Sequence, residues 1–159
     1  MTNAKVLHDH IVARICRLAD AMIRMSSREL KERWNLRNTD LRILNILEGN
    51  TPLSLNAISR NAFLDQAWVS RSIRALEAAK LVQRCAHPTD SRITLARLTK
   101  RGRQIIDESR PYAAWSERVL LAQIDARELK ALLDQLETNT QNLINRIDSR
   151  TRTPVCPEV

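Results

Sequence analysis

Residues 54–103, SLNAISRNAFLDQAWVSRSIRALEAAKLVQRCAHPTDSRITLARLTKRGR, contain the signals that decide the fold of this chain. Ser54 and Asp65 each precede a helical pattern, at a position where a side-chain oxygen can cap the helix. They predict two short helices joined by a turn. Two runs with β-branched residues, 81–87 and 92–98, flank the sequence PTDS, which predicts a two-stranded β-hairpin.

The sequence before this segment is predominantly helical. Only two glycines occur in 159 residues, and such a composition favours helix. Apolar residues recur every three or four positions between residues 5 and 33, which predicts a long amphipathic first helix. The cluster Asn38-Thr39-Asp40 can cap a second helix, and Gly49 is expected to end it in a left-handed conformation.

The sequence after the central segment predicts two further helices. Thr99 can cap a fifth helix, which Pro111 is expected to kink or interrupt. Asp125 begins a capping pattern for a sixth helix with helical apolar periodicity. The fold class is therefore mainly α with a small β-hairpin.

Several classes of function are excluded by what the sequence lacks. No glycine-rich nucleotide-binding motif occurs, and the three histidines have no HExxH pattern or catalytic Ser or Cys constellation around them. We therefore expect no enzymatic activity, cofactor or metal. An odd number of cysteines without a CxxC pair, together with the absence of an apolar leader or membrane-length run, predicts a cytoplasmic protein.

Basic residues are concentrated in the central segment. The chain carries 26 Lys+Arg and 18 Asp+Glu, a formal net charge of +8. Residues 60–103 hold ten basic and three acidic residues, so they account for +7 of this charge. Charge that served only solubility would be spread over the chain, so its segregation predicts a polyanionic partner such as DNA.

The second helix of the central segment has two different faces. Val69, Ile73 and Leu76 share the face expected to enter the core. The opposite face is small and basic and carries Ala67, Ser70, Arg71 and Arg74. Small residues allow close approach to a DNA groove, and arginines offer paired donors to guanine or phosphate. At the hairpin tip, the Asp90 carboxylate is expected to hold the Arg92 guanidinium extended toward a minor groove.

These residues resemble the MarR family of bacterial transcriptional regulators, which are dimeric winged helix-turn-helix proteins. The resemblance covers residues 36–104, and its most specific parts are the helix-turn-helix run 55–77, the wing 87–92 and the sequence LTKRG at 98–102. It implies a winged helix-turn-helix core, flanked by long N- and C-terminal dimerisation helices. The helix from Asp65 to Ala79 would lie in the major groove of DNA, and the wing would reach the adjacent minor groove.

The resemblance also implies two sets of site residues. The predicted DNA-contact set is Gln66, Ala67, Trp68, Ser70, Arg71, Arg74, Lys80, Asp90, Arg92 and Lys100. The family usually has glycine where Lys80 stands, and a left-handed lysine there would cost about 1 kcal/mol. The predicted effector, a small aromatic or phenolic molecule, would bind between the first, second and fifth helices. The predicted effector-binding residues are Arg14, Met22, Met25 and Trp34.

The predicted organisation has three parts. Residues 1–35 and 104–150 would form the helical dimerisation region, residues 36–103 the DNA-binding region, and residues 151–159 a flexible tail. A homodimer would read a roughly palindromic operator with half-sites about one helical turn apart. The leading hypothesis is a ligand-responsive regulator, a repressor that its effector releases from DNA.

Two alternatives remain beside this hypothesis. Cys16 lies on the first helix, as in oxidant-sensing relatives, although the partner tyrosines are absent and Tyr112 is the only tyrosine. The first alternative is therefore a cysteine-based redox-sensing regulator. The second is an adaptor that uses the winged fold to bind proteins and does not bind DNA.

Overall fold

The computed structural model describes residues 10–49, 51–90 and 92–149, apart from the side chains of 148 and 149. In this part of the chain, six helices and three short strands follow one another. They are α1 (Ile11–Trp34), α2 (Asn38–Ile46), β1 (Leu53–Ser54), α3 (Leu55–Ala62), α4 (Gln66–Ala78), β2 (Val82–Ala86), β3 (Thr94–Leu98), α5 (Lys100–Leu120) and α6 (Ala126–Ser149). The prediction of a mainly α fold with a small β element is confirmed.

The chain divides into two compact units, residues 1–108 and residues 109–159. The predicted boundaries at residues 35 and 103 concern function and stay predictions. The predicted flexible tail, 151–159, lies outside the described residues.

The hydrophobic core of the first unit is built by α2, α3, α4, the sheet and the first turns of α5. Ile43 and Leu44 of α2, Ile58 of α3 and the pair Val69 and Ile73 of α4 are completely buried. Val69 and Ile73 are four positions apart, which places them on one side of α4. Burying such a side chain stabilises the fold by about 2 kcal/mol, so the core fixes the orientation of α4 about its axis.

Side-chain caps begin the helices that the sequence predicts. The Ser54 hydroxyl accepts the N–H of Ala57 at 3.2 Å, and the Asp65 carboxylate accepts the N–H of Trp68 at 2.7 Å. The Thr99 hydroxyl likewise accepts the N–H of Gly102 at 3.1 Å. These three caps are confirmed.

The start of α2 differs from the prediction. Arg37 occupies the cap position, and the carboxylate of Asp40 accepts its backbone N–H at 3.0 Å. The side chain of Asn38 points instead toward α1, where it donates to the Ser27 hydroxyl and the Ile23 carbonyl. An acid at the third helical position therefore caps α2, because it can reach back to the free N–H at the helix start.

The sheet has three antiparallel strands in the order β1-β3-β2, so the two-stranded hairpin is only part of it. Val82 lies opposite Leu98 in the hairpin, and Leu53 of β1 lies opposite Ala96. Strand β1 has two residues, too few to show the alternation that identifies a strand. At the outer edge, Glu77 of α4 accepts the N–H of Arg84 at 3.4 Å and pairs with its guanidinium at 2.6 Å.

The prediction for Gly49 is wrong, and of the two outcomes predicted for Pro111, a kink or an interruption, the interruption does not occur. Gly49 does not adopt a left-handed conformation, and left-handed residues in the described part of the chain are Asn35, Phe63, Lys80 and Gln123. Helix α5 passes through Pro111 without interruption. Proline removes one N–H donor from the helix, and the hydrogen bonds of the neighbouring turns are enough to keep it continuous.

The second unit contains the end of α5 and α6, joined by a turn at residues 121–125. The carboxylate of Asp125 caps α6 by accepting the N–H groups of Arg127 and Glu128. Tyr112 and Trp115 place their ring centroids 5.8 Å apart. No helix in the described residues is both long enough and apolar enough to cross a membrane.

Candidate nucleic-acid interface

Helix α4 presents the face that the sequence assigned to DNA. Its inner residues Val69, Ser72 and Ile73 are completely buried. The exposed residues of its outer face are Gln66, Ala67, Trp68, Arg71 and Arg74, with Ser70 half-buried beside them. The predicted exposure of this face is confirmed, because the core determines which side of the helix remains in solvent. Its contact with DNA stays a prediction.

Trp68, near the start of α4, lies close to two guanidinium groups. The guanidinium carbon of Arg71 lies 5.5 Å from the ring centroid, and that of Arg37 lies 5.4 Å from it. Both distances are within the range of a cation–π interaction. The structure thus shows which side chains lie next to this tryptophan.

Arg37 connects the start of α2 to α4. Its guanidinium donates two hydrogen bonds of 2.9 Å to the Asp40 carboxylate and one of 3.1 Å to the Ser72 hydroxyl. The hydrogen bonds that Arg37 donates to Asp40 raise the pKa of Arg37 above its ordinary value. Asp40 is 6 % exposed and Ser72 is fully buried. The guanidinium therefore satisfies polar atoms that water barely reaches.

Lys80 adopts the left-handed conformation that the family pattern predicts for glycine, with φ of 60°. Its N–H donates to the Glu77 carbonyl at 2.8 Å, and its own carbonyl accepts the Thr99 hydroxyl at 2.7 Å. The turn is therefore retained although the residue is not glycine. The Lys80 side chain is exposed between α4 and the hairpin.

At the wing tip, Asp90 is paired with Arg92 through the main chain. Its carboxylate accepts the backbone N–H of Arg92 at 3.0 Å, and the described atoms show no ion pair with the guanidinium. The predicted role of this carboxylate as a side-chain partner is thus wrong. An aspartate two residues before an N–H forms this turn readily, and both side chains remain exposed.

A basic groove lies where the hairpin meets α5. It has a volume of about 540 Å³ and is lined by Gln83, Arg97, Lys100 and Arg103, among others. The Arg97 guanidinium donates to the neutral amide oxygen of Gln83 at 2.9 Å. This contact leaves the charge of Arg97 uncompensated. Lys100 and Arg103 lie in the first turn of α5, where the helix dipole disfavours cations.

Comparison with known proteins places this arrangement in a family. Residues 34–93 match the MarR family model. The uncharacterized HTH-type transcriptional regulator YdgJ of Bacillus subtilis (strain 168) is 33 % identical over 109 residues. The aligned segment covers 69 % of this chain and spans 66 % of that relative's length. The crystal structure of a MarR/EmrR family transcriptional regulator from Acinetobacter sp. ADP1 is 28 % identical with a TM-score of 0.69, covering 88 % of this chain and 96 % of that chain.

The chain belongs to the MarR family of DNA-binding winged helix-turn-helix transcriptional regulators. A third similar protein is BpsR of Bordetella bronchiseptica, a regulator whose DNA binding is regulated by 6-hydroxynicotinic acid. It is 22 % identical, with a TM-score of 0.71, and the match covers 84 % of this chain and 94 % of that chain. At this identity the likeness to BpsR concerns the fold.

This MarR-family chain has an open groove of about 540 Å³ between α1, α2 and α3. Its polar lining consists of Ser26, Asn38, Arg42, Asn45 and Asn61, and its apolar lining of Met22, Ile23, Leu41 and Ile46. The guanidinium of Arg42 donates to the Ala62 carbonyl at 3.2 Å. The groove therefore combines one cation and three amides with an apolar wall.

The structure separates the four predicted effector residues. Met22 lines the groove, whereas Arg14 and Met25 lie exposed along α1. Trp34 packs against the core, and its indole N–H donates to the Glu108 carboxylate at 3.0 Å. That hydrogen bond, with a second from Gln104, lowers the pKa of Glu108.

Sequence reasoning missed Arg37 and Arg42. A signal for Arg42 was available, because Asn38, Arg42 and Asn45 follow one another at helical spacing and share one face of α2. No local pattern indicates the contacts of Arg37, since Ser72 and Trp68 lie more than thirty positions away.

The cysteines and acidic residues add no second site in the described residues. Cys16 is exposed and Cys85 is half-buried, both as free thiols, while Cys156 lies outside the described part of the chain. No cluster of His, Cys, Asp or Glu in the described ranges has the arrangement of a metal site. Redox sensing by Cys16 stays a prediction.

Proposed function

We propose that this protein is a ligand-responsive repressor that binds a specific DNA operator as a homodimer. The observation that carries the proposal is the exposed outer face of α4, where Arg71 and Arg74 have no acidic partner among the described residues, while the opposite face is buried in the core. Arginines held on a rigid helix can donate paired hydrogen bonds to guanine or phosphate. The uncompensated charge at the hairpin and at α5 adds attraction to a polyanion.

Selection of bound sequences from random duplexes, followed by anisotropy titration, tests the DNA-binding part. We expect Arg71→Ala to weaken operator binding by about 1–3 kcal/mol, the range for one bidentate base contact. The matched control is Arg28→Ala, since Arg28 lies on α1 in an exposed pair with Glu32. An absence of duplex binding even at low salt would favour the adaptor alternative.

The wing is tested separately through Arg92. An exposed arginine at the tip that contacts a phosphate should contribute about one unit to the slope of log affinity against log salt concentration. We expect Arg92→Ala to reduce both affinity and slope. If both are unchanged, the wing does not contact DNA.

Dimerisation is proposed from two exposed apolar rows. Helix α1 exposes Ile11, Ile15 and Leu18, and helix α6 exposes Leu132, Leu136 and Leu143, all more than 40 % accessible. Apolar rows of this length on an isolated subunit mark an interaction surface, and a second copy would cover them.

Sedimentation tests this assignment of the interface. We expect the wild-type protein to sediment as a dimer and Leu136→Glu to shift it toward monomer. The control is Lys130→Glu, which changes an exposed residue of the same helix that is paired with Asp134.

The effector site is proposed at the groove that contains Met22 and Arg42. A small aromatic acid matches its chemistry, with the carboxylate at Arg42 and the ring against Met22, Leu41 and Ile46. The regulation of BpsR by 6-hydroxynicotinic acid supports this class of ligand. Binding at a junction of α1, α2 and α3 could change how α1 supports the DNA-binding unit.

Thermal shift against hydroxybenzoates and hydroxynicotinates tests the effector. A ligand at one hundred times its Kd should stabilise the protein by about 2.7 kcal/mol, release it from the operator, and restore transcription from a reporter. We expect Arg42→Gln to abolish the shift and Arg14→Gln to leave it unchanged. If Arg14→Gln abolishes the shift and Arg42→Gln leaves it unchanged, the effector site predicted from the sequence is favoured instead.

A further inference from the structure

The start of α2 and the recognition surface of α4 are joined through a single side chain, Arg37. Its guanidinium contacts the Asp40 carboxylate and the Ser72 hydroxyl on one side and faces the Trp68 ring on another. Ser72 is fully buried and Trp68 is exposed, and the two residues are four positions apart, so they lie next to each other on one side of α4. Arg37 therefore contacts α4 along the flank where its buried face meets its exposed face.

Trp68 transmits the position of this guanidinium to the outer face. One side of the indole system meets Arg37, and Arg71 also lies over the ring at 5.5 Å. Trp68 and Arg71 are three positions apart, so they are neighbours on the helix surface. A ring held by Arg37 restricts the conformations of the Arg71 side chain, which would otherwise be free in solvent.

We infer that Arg37 is a positioning residue for sequence-specific DNA recognition: it holds Trp68, and through Trp68 it preorganises Arg71 for its base contact. The inference rests on the proposed DNA-binding function of α4. A guanidinium already engaged with Asp40, Ser72 and an indole ring has few donors left for phosphate. Its loss should therefore reduce discrimination between sequences more than it reduces electrostatic attraction.

The charge balance supports a positioning role. Asp40 is 6 % exposed and faces the Arg37 guanidinium at 2.9 Å, so the two charges are matched. A residue that served mainly to attract phosphate would keep its charge uncompensated, as Arg71 and Lys100 do. Lysine at position 37 would keep the charge but lose both the planar stacking and the two-fold hydrogen bond to Asp40.

Anisotropy titrations of the full-length protein on its selected operator and on a scrambled duplex test the inference. We expect Arg37→Gln to lower the ratio of operator to scrambled affinity by about tenfold, within the range that one base contact contributes. The slope against salt should stay unchanged, and Arg37→Lys should not restore the ratio. The matched control is Arg28→Gln, which removes one exposed arginine from α1.

A variant that leaves Asp40 without its partner could unfold, so Arg37→Gln/Asp40→Asn is measured in parallel. This pair removes the buried charge together with the guanidinium and should show the same loss of specificity. The indole N–H signal of Trp68 in a ¹⁵N spectrum gives a readout without DNA. It should move in both Arg37 variants and stay in place in Arg28→Gln.

The outcomes distinguish a failure of the proposed DNA binding from a failure of the positioning role of Arg37. If the wild-type protein binds no duplex, the proposed function fails and the inference falls with it. If the wild type discriminates its operator but Arg37→Gln keeps the same ratio or the same Trp68 signal, the positioning role is refuted. Equal weakening on both duplexes with a smaller salt slope would make Arg37 a phosphate contact instead.

Discussion

Replacing Gly102 by alanine should separate the first turn of α5 from the hairpin. A Cβ atom at this position would lie 2.2 Å from the Leu81 carbonyl oxygen and 3.1 Å from the Leu98 side chain. The carbonyl belongs to the backbone, so it cannot rotate away as a side chain would. The two segments must move apart by about 1 Å to reach an ordinary contact of 3.4 Å.

The magnitude follows from three contributions. Overpacking of this kind costs about 1–3 kcal/mol. The Leu81 carbonyl also accepts the N–H of Thr99 at 3.0 Å, and weakening that hydrogen bond costs about 1 kcal/mol. Alanine regains about 1 kcal/mol because it favours helix over glycine. We expect a net destabilisation of about 1–3 kcal/mol.

Urea and thermal unfolding at equal protein concentration measure this effect. For a chain of this size, about 1–3 kcal/mol corresponds to a Tm about 2–12 °C lower. Gly49→Ala is the matched control, because a Cβ there meets no atom within 4 Å and its φ is not left-handed. A Gly102→Ala protein as stable as the wild type would refute the close approach of α5 to Leu81.

Three further predictions concern other positions. Lys80→Gly should raise the free energy of unfolding by about 1 kcal/mol, because glycine adopts a φ of 60° without strain. An unchanged or lower urea midpoint would contradict this. If the variant's DNA affinity depends less steeply on salt concentration than that of the wild type, the lysine contacts phosphate. The hydrogen bonds from Trp34 and Gln104 lower the pKa of Glu108, so their stabilising effect is complete above the ordinary glutamate pKa and is lost as pH falls through the lowered value. The Trp34 indole signal should therefore change only below the ordinary pKa, and in Glu108→Gln it should be independent of pH over the same range. Pro111→Ala should stabilise α5 by up to about 3 kcal/mol, because it restores an N–H donor inside the helix; calorimetry showing a lower Tm would contradict this.

Local chemistry explains why much of the fold was predictable. Ser54, Asp65 and Thr99 act on N–H groups three residues away, so each cap is visible in a short stretch of sequence. The inner and outer faces of α4 follow from helical periodicity in the same way. The left-handed turn at Lys80 came from the family resemblance, since the residue itself gives no sign of it.

The parts that were not predicted depend on contacts between distant segments. The two residues of β1 become a strand only because β3 lies beside them. Arg37 acquires its role from Ser72 and Trp68. The groove proposed for the effector shows the same limit, because Asn61 of α3 completes a wall whose other residues belong to α1 and α2.

The contact between Glu77 and β2 opposes the addition of a strand from another molecule to the edge of the sheet. Strand β2 is one of the two edge strands of the sheet, and an edge strand offers unpaired N–H groups to which a strand of another molecule can add. Glu77 occupies the N–H of Arg84, at the centre of the five-residue strand, and neutralises its side chain. This contact therefore removes one of the N–H groups through which a strand of another molecule could add to β2.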